Sequence, residues 1–315
     1  MEVRTARERS ARALVELTTI LRRLAGADVP AIPLKGPLLS ARLFGDPTLR
    51  GSHDLDLLVP EDRMDDALAA LSDEYASHAA SRRTRKGREH HEGIRSPRTN
   101  RLVEVHWRPL SPRTGVRADW NELWRTARQR TDAGIAYLTL DPAVEAVVVG
   151  VHAAQHLAYR LHWLLDVAAL AAGLEESDWE RALELAGRWR GYRSLTTALQ
   201  AAELVLAVPL RERLARAAAI GGDRRVAAWI ARRLTSGVAA IPSQLESWPR
   251  WLAMLDSWAI RGAVTTRFLF TPIPEDRQVT RLPPLADTLT GAVRPLLVVL
   301  RALRRQKAPR QTPLT

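Results

Sequence analysis

The sequence predicts an α+β protein: a small β-sheet with flanking helices over residues 1–140, then an all-α region over 141–305 and a basic tail at 306–315. Three observations carry that class. Short runs with strand character occur at Val29–Leu34, Asp54–Val59, Leu102–Trp107 and Ile135–Leu140. Segments with apolar residues three and four apart lie around and between them. From Ala143 onward almost only helical spacing is found, and Asp141-Pro142, an N-cap residue followed by a first-turn proline, marks the boundary.

The elements follow in order. Ala11, Leu14, Leu17, Leu21 and Leu24 place an amphipathic helix over residues 3–26, with Gly26 as its C-terminal cap. Val29–Leu34 is a strand feeding the Lys35-Gly36 turn. Pro37–Leu43 is a helix, and Gly45-Asp46-Pro47 breaks it. Met64, Ala67, Leu68 and Leu71 make Glu61–Tyr75 a helix that packs back on the sheet. Ser77–Asn100 is the least regular stretch and holds Arg82, Arg83, Arg85, Lys86, Arg88, His90 and His91. Those cations either clamp phosphates or keep a loop or edge strand solvated. His90 and His91 are adjacent, so on a strand they face opposite ways and at most one reaches a common site.

Asp119–Arg128 is expected as a helix. The helical segments beyond the boundary are 142–157, 160–173, 178–189, 192–206, 210–219, 223–236, 246–261 and 285–305. Trp248, Trp251, Leu255 and Trp258 share a helical spacing that predicts a packed core stripe. Phe270–Pro284 is proline-rich and is expected to wrap the surface. The tail 306–315 is expected to be disordered.

The chemistry concentrates between Pro33 and Val59. Asp54 and Asp56 alternate with Leu55 and Leu57, so on a strand the two carboxylates share one face. Two acids side by side are costly unless something positive lies between them. A divalent cation with oxygen ligands answers that need, since Mg²⁺ takes one or two carboxylates plus substrate phosphates. Gly36 allows close backbone approach to a ligand, and the helix after it offers free N–H groups to phosphate. Leu102–Trp107 supplies a second strand with a polar face, on which Glu104 is a third carboxylate and His106 its neighbour. His152 and His156 lie one helical turn apart, a spacing that binds metal in some proteins. No Glu follows the first histidine and no third ligand is evident, which favours hydrogen-bonded histidines over a zinc site.

These residues resemble the nucleotidyltransferase superfamily with the polymerase-beta-like fold. The resemblance is strongest to its branch of uncharacterised nucleotidyltransferases, some of which sit near peptide natural-product and antibiotic-resistance genes. It is carried by Leu34-Lys35-Gly36, by Arg50 ahead of Asp54-Leu55-Asp56-Leu57-Leu58-Val59, and by Glu104-Val105-His106-Trp107. It continues into His152-Ala153-Ala154-Gln155-His156 and Leu161-His162-Trp163-Leu164-Leu165-Asp166, about the first two thirds of the chain. Pro37 departs from the pattern, standing where most of the superfamily has Gly or Ser.

The resemblance implies a mixed sheet in a nucleotidyltransferase catalytic domain, 1–140, followed by a helical acceptor or lid domain, 141–305. It implies Asp54, Asp56 and Glu104 as catalytic carboxylates and ligands of two Mg²⁺ ions. Lys35, Gly36, Arg50, Ser52 and His53 are the expected nucleotide-binding residues. His106, His152, His156 and Asp166 are expected on the acceptor side. The expected reaction is transfer of an NMP group from ATP or GTP to a hydroxyl of a small molecule, peptide or protein, with release of pyrophosphate. Two other classes stay open: a catalytically weak nucleotide-binding module of a toxin–antitoxin or biosynthetic complex, and an RNA end-modifying enzyme.

Composition narrows the field from outside. The chain has 315 residues, enough to bury a sizeable core, with 46% hydrophobic and 26% charged residues. The absence of cysteine removes disulfides, thiolate metal sites and cysteine nucleophiles. With 47 basic against 35 acidic residues the formal charge is +12, which favours anionic ligands. Arginine is spread along the whole chain and no nucleic-acid-binding motif is present, so a dedicated nucleic-acid surface is not favoured. No signal peptide or membrane span is evident, and a cytoplasmic location is expected.

Overall fold

Leucine and alanine at helical spacing fix the first layer. In α1 (Glu2–Gly26) the residues Ala13, Leu17, Ile20 and Leu24 are all buried. They pack on one face of a five-stranded sheet together with α3 (Met64–Leu71). The computed structural model describes residues 2–51, 54–77, 90–237, 241–271, 276, 279 and 287–307.

The sheet contains β1 (Ile32–Pro33), β2 (Asp54–Leu58), β3 (Ala76–Ser77), β4 (His91–Arg95) and β5 (Leu102–His106), in the spatial order β1-β2-β5-β4-β3. It is mixed: β2 and β5 run parallel and the other pairs antiparallel. The parallel register sets Leu55 against Val103, Asp56 against Glu104 and Leu58 against His106. Leu55, Leu57, Val103, Val105 and Ile94 face α1 and α3 and form one core. By period-two alternation, Asp54, Asp56, Glu104 and His106 face the other side.

That other side is covered by the helical half. α5 (Pro142–Gln155) is buried along most of its length and packs on α6 (Leu161–Gly173), α7 (Glu176–Arg188) and α8 (Tyr192–Leu206). Their core takes in Ile32, Leu34, Leu39 and Leu58, so it reaches the edge of the sheet. Asp141 caps α5, accepting from the Ala143 N–H at 3.1 Å. α9 (Glu212–Gly221), α10 (Arg224–Thr235), α11 (Gln244–Ala253), α12 (Trp258–Phe270) and α13 (Asp287–Lys307) complete the described helices. None of them is long and apolar enough to cross a membrane.

Several expectations are corrected. The strand at Val29–Leu34 shortens to Ile32–Pro33, and the helix at Glu61–Tyr75 to α3 preceded by a 3₁₀ turn at Glu61–Arg63. The end of the helix expected at Asp119–Arg128 is strand: α4 (Trp120–Thr126) gives way to β6 (Arg128–Asp132), paired antiparallel with β7 (Ile135–Thr139). Its sequence, Arg-Gln-Arg-Thr-Asp, is mostly exposed and has no apolar alternation to reveal it. The hairpin is closed by Ala133 and Gly134, both at positive φ (52° and 73°), as a two-residue turn between twisted strands requires.

The single helix expected at 246–261 is two. Met254 and Leu255 turn into the core, and Asp256 accepts from the Tyr192 and Arg193 N–H groups at 3.1 and 2.8 Å, capping α8. The break rotates the tryptophan stripe, so Trp258 is 82% exposed and not core. Residues Gln306 and Lys307 of the tail belong to α13, while 308–315 lie outside the described residues. So do residues 78–89, with most of the cation-rich stretch, and most of Phe270–Pro284.

Candidate active site

β1 delivers Lys35 to the acids. Pro33 pairs with Leu57 on β2, and the Leu34 N–H then donates to the Asp56 carbonyl at 3.0 Å. The next residue therefore stands beside Asp56, with Lys35 Nζ 3.3 Å from Asp56 Oδ1. The same Nζ lies 3.3 Å from His152 Nε2 on α5. Gly36 follows at φ 87°, ψ −150°, a region open essentially to glycine alone. That turn starts α2 (Pro37–Phe44) with Pro37 in its first turn.

β5 delivers the rest. His106 Nε2 is 3.0 Å from Asp56 Oδ1 and 3.4 Å from Glu104 Oε2. His91 Nε2, on β4, is 3.7 Å from Glu104 Oε1. Ligand atoms of Asp56, Glu104 and His106 all lie within 4.8 Å of one another, and so do ring nitrogens of His90, His91 and His106. His90 precedes β4, so strand alternation does not govern it. Its ring sits 4.6 Å from that of His91 and 5.4 Å from that of His106. Both adjacent histidines thus border the acid set, correcting the expectation that at most one would.

Arg50, Gly51, Lys35, Asp54, Asp56 and Glu104 line one side of a cleft. His152, His156, Tyr159, Arg160, His162 and Trp163 line the other. His156 and Trp163 lie 5.1 Å apart with rings tilted by 38°, and Tyr159 meets Trp163 edge-on at 4.7 Å. The Arg160 guanidinium lies 5.6 and 5.8 Å from the Tyr159 and Trp163 ring centres. Sequence reasoning gave no role to Tyr159, Arg160 or Trp163. Their signal was present, an Arg among aromatics directly after the His152/His156 turn.

Arg50 and Asp166 meet each other. Arg50 Nε donates to both Asp166 oxygens at 3.0 and 2.8 Å, and both side chains are buried. This ties the loop ahead of β2 to α6. Ser52 and His53 lie outside the described residues.

Burial and charge separate the two aspartates. Burial pushes Asp54 up, and the neighbouring Asp56 charge adds to it against Lys35. Burial also opposes the Asp56 charge, but Lys35 and His106 outweigh it and hold that carboxyl well below its ordinary range. Burial acts against the Glu104 charge as well, yet the His106 hydrogen bond keeps Glu104 low. His106 is driven down by burial and up by Asp56 and Glu104, with a net rise. Burial, then Lys35, holds His152 well below and His156 down to about 4, so both are neutral imidazoles at pH 7. Burial raises Asp166 to about 6 against the pull of Arg50. The donors present, two carboxylates and an imidazole in mutual reach, suit a divalent cation.

No curated protein matches the chain. Among solved structures it is similar to the antibiotic-resistance factor ANT(2'')-Ia at 10% identity and a TM-score of 0.40, covering 56% of this chain and 94% of that one. It is similar to an antigenic nucleotidyltransferase-like protein from Paracoccidioides brasiliensis at 16% identity and a TM-score of 0.37, covering 65% and 91%. JHP933 from Helicobacter pylori is similar at 16% identity and a TM-score of 0.27, covering 75% and 95%. Each is a distant likeness. The family model described as uncharacterised nucleotidyltransferase matches residues 2–207, about two thirds of the chain. With that match, the protein belongs to this nucleotidyltransferase family.

Proposed function

We propose that the protein transfers an NMP group from an NTP to a hydroxyl acceptor, a small molecule, a peptide or a protein, releasing pyrophosphate. One observation carries the reading: Asp54, Asp56 and Glu104, from neighbouring parallel strands, open on one cleft together with Lys35. Asp54, Asp56 and Glu104 would hold divalent metal. Bound there, metal ions supply charge to the phosphates and lower the pKa of an attacking hydroxyl.

The chain's own residues do the remaining work, which in phosphoryl-type transfer is mostly positioning and charge. Lys35 is fixed between Asp56 and His152 and presents its ammonium to the triphosphate. Gly36 lets the backbone approach the same phosphates. The Arg50–Asp166 pair fixes Arg50, ahead of β2, to α6. Neutral His152 and His156, with Tyr159 and Trp163, form the wall facing the acids, where a planar or hydroxyl-bearing group packs.

The test is transfer of label from α-³²P-NTP to an acceptor pool in the presence of divalent metal, with Asp54→Asn as the variant. Asp54 is the more exposed of the two aspartates, so its replacement leaves the Lys35–Asp56–His106 contacts in place. Loss of transfer by orders of magnitude with an unchanged thermal midpoint is expected. Full activity in that variant ends the proposal.

A further inference from the structure

We propose that His106 is itself a metal ligand, and that the cation held by Asp56, Glu104 and His106 is a first-row transition ion such as Mn²⁺ or Co²⁺ in preference to Mg²⁺. The inference rests on the metal-dependent reading above and goes beyond it in the donor set and the ion.

β5 places Glu104 and His106 two residues apart on one face, and the parallel register sets Glu104 against Asp56. His106 is 3% exposed, so its ring has no solvent to turn to. Its Nε2 stands 3.0 Å from Asp56 Oδ1 and 3.4 Å from Glu104 Oε2. Around an ion with bonds of about 2.1 Å, neighbouring ligand atoms are about 3.0 Å apart at right angles and about 3.4 Å apart at the tetrahedral angle. Both nitrogen–oxygen separations, spanned here by hydrogen bonds from Nε2–H, fall at the edge lengths of a coordination shell, and ligation would release that proton.

The donor type then selects the ion. Mg²⁺ takes oxygen ligands and keeps its waters. Imidazole nitrogen suits transition ions, whose affinity for a mixed site rises along the series from Mn²⁺ to Cu²⁺. A second imidazole is at hand, since His91 Nε2 lies 3.7 Å from Glu104 Oε1.

The experiment uses the full chain stripped with a chelator. Co²⁺ and Mg²⁺ affinities are measured by calorimetry for the wild type and for His106→Gln, and Mn²⁺-loaded wild type is examined by electron spin echo spectroscopy. The wild type is expected to bind Co²⁺ at least tenfold more tightly than Mg²⁺. His106→Gln is expected to lose tenfold or more for Co²⁺, about the cost of removing a ligand-shell partner, and to change by less than threefold for Mg²⁺. An imidazole nitrogen coupling on Mn²⁺ that persists in both His90→Gln and His91→Gln supports the proposal independently of His106→Gln, which covers the case of that variant failing to fold. Bound Mn²⁺ with no nitrogen coupling, an unchanged Co²⁺/Mg²⁺ ratio in the variant, or no metal binding overturns it. Label transfer by the wild type is scored separately. Transfer without nitrogen coupling sinks the histidine ligand and spares the enzyme; nitrogen coupling without transfer does the reverse.

Discussion

Acid should destabilise this protein through His156. His156 caps the C-terminal end of α5 through its backbone N–H; its ring packs 4.6 Å from His152 and 5.1 Å from Trp163, and is held down to about 4 by burial first and Lys35 second. In the unfolded chain a histidine titrates near its ordinary 6.5. The folded state therefore takes up this proton less readily, and stability is full above about pH 7 and falls as pH drops toward 4. At 1.36 kcal/mol per unit, the loss by pH 5 is about 1.36 × 1.5, or about 2 kcal/mol. For a chain of 315 residues that is a fall of about 3 °C in melting temperature. The assay is urea unfolding at pH 7.5, 6 and 5 for the wild type and His156→Gln. The substitution costs packing at every pH, so the quantity read is the difference in pH slope. His152 is also held well below its ordinary value and contributes equally to both curves if its surroundings persist. The variant should lose about 2 kcal/mol less than the wild type between pH 7.5 and 5. Equal slopes would show that His156 is charged or solvated in the folded protein, and the aromatic wall of the cleft would have to be redrawn.

Two further outcomes are expected. Gly36→Ala places a Cβ at φ 87°, ψ −150°, so it should cost about 1–3 kcal/mol in urea unfolding; a neutral effect would mean the turn before α2 is not held in that conformation. Asp166→Leu leaves the buried Arg50 guanidinium without its carboxylate and should cost about 3–5 kcal/mol, whereas Arg50→Met with Asp166→Leu should recover most of that loss. An additive double variant would show that the pair is not coupled.

The core of the sheet was legible because its signal is local. Alternation at Asp54–Val59 and Leu102–Trp107 is a property of a few consecutive residues, and it places the acids on one face without knowledge of the partner strand. The helical half was legible for the same reason, through caps such as Asp141 and spacing such as that in α1. Three things were not. β6 has no apolar face, so its only specification is the turn at Ala133-Gly134 and its pairing with β7. The break after α11 is dictated by α8, whose N-terminus needs the Asp256 carboxylate. The Arg50–Asp166 contact joins residues 116 apart in the chain, and no short-range pattern assigns a partner over that distance. His90 shows the converse error. The alternation rule was sound, but it was applied to a residue just outside the strand.

In sequence, Asp54-Leu55-Asp56 is nearly symmetric; in the structure its two carboxylates are opposites. Asp56 is buried, sits 3.3 Å from Lys35 and 3.0 Å from His106, and is ionised far below the ordinary range. Asp54, half-buried on the same face, is pushed the other way by burial and by Asp56 itself. Lys35 and His106 thus already compensate Asp56, and an added cation gains most at Asp54, where charge is least favoured. That inequality is measurable in a ¹³C titration of the Asp54 carboxyl. Without metal its midpoint should lie above the ordinary aspartate value. With saturating divalent cation it should drop, because a bound cation stabilises the ionised form. A midpoint that does not move would place Asp54 outside the coordination shell. Asp56, Glu104 and His106 would then remain as the whole metal-binding set, and the orders-of-magnitude loss expected for Asp54→Asn would have to come from misplaced substrate.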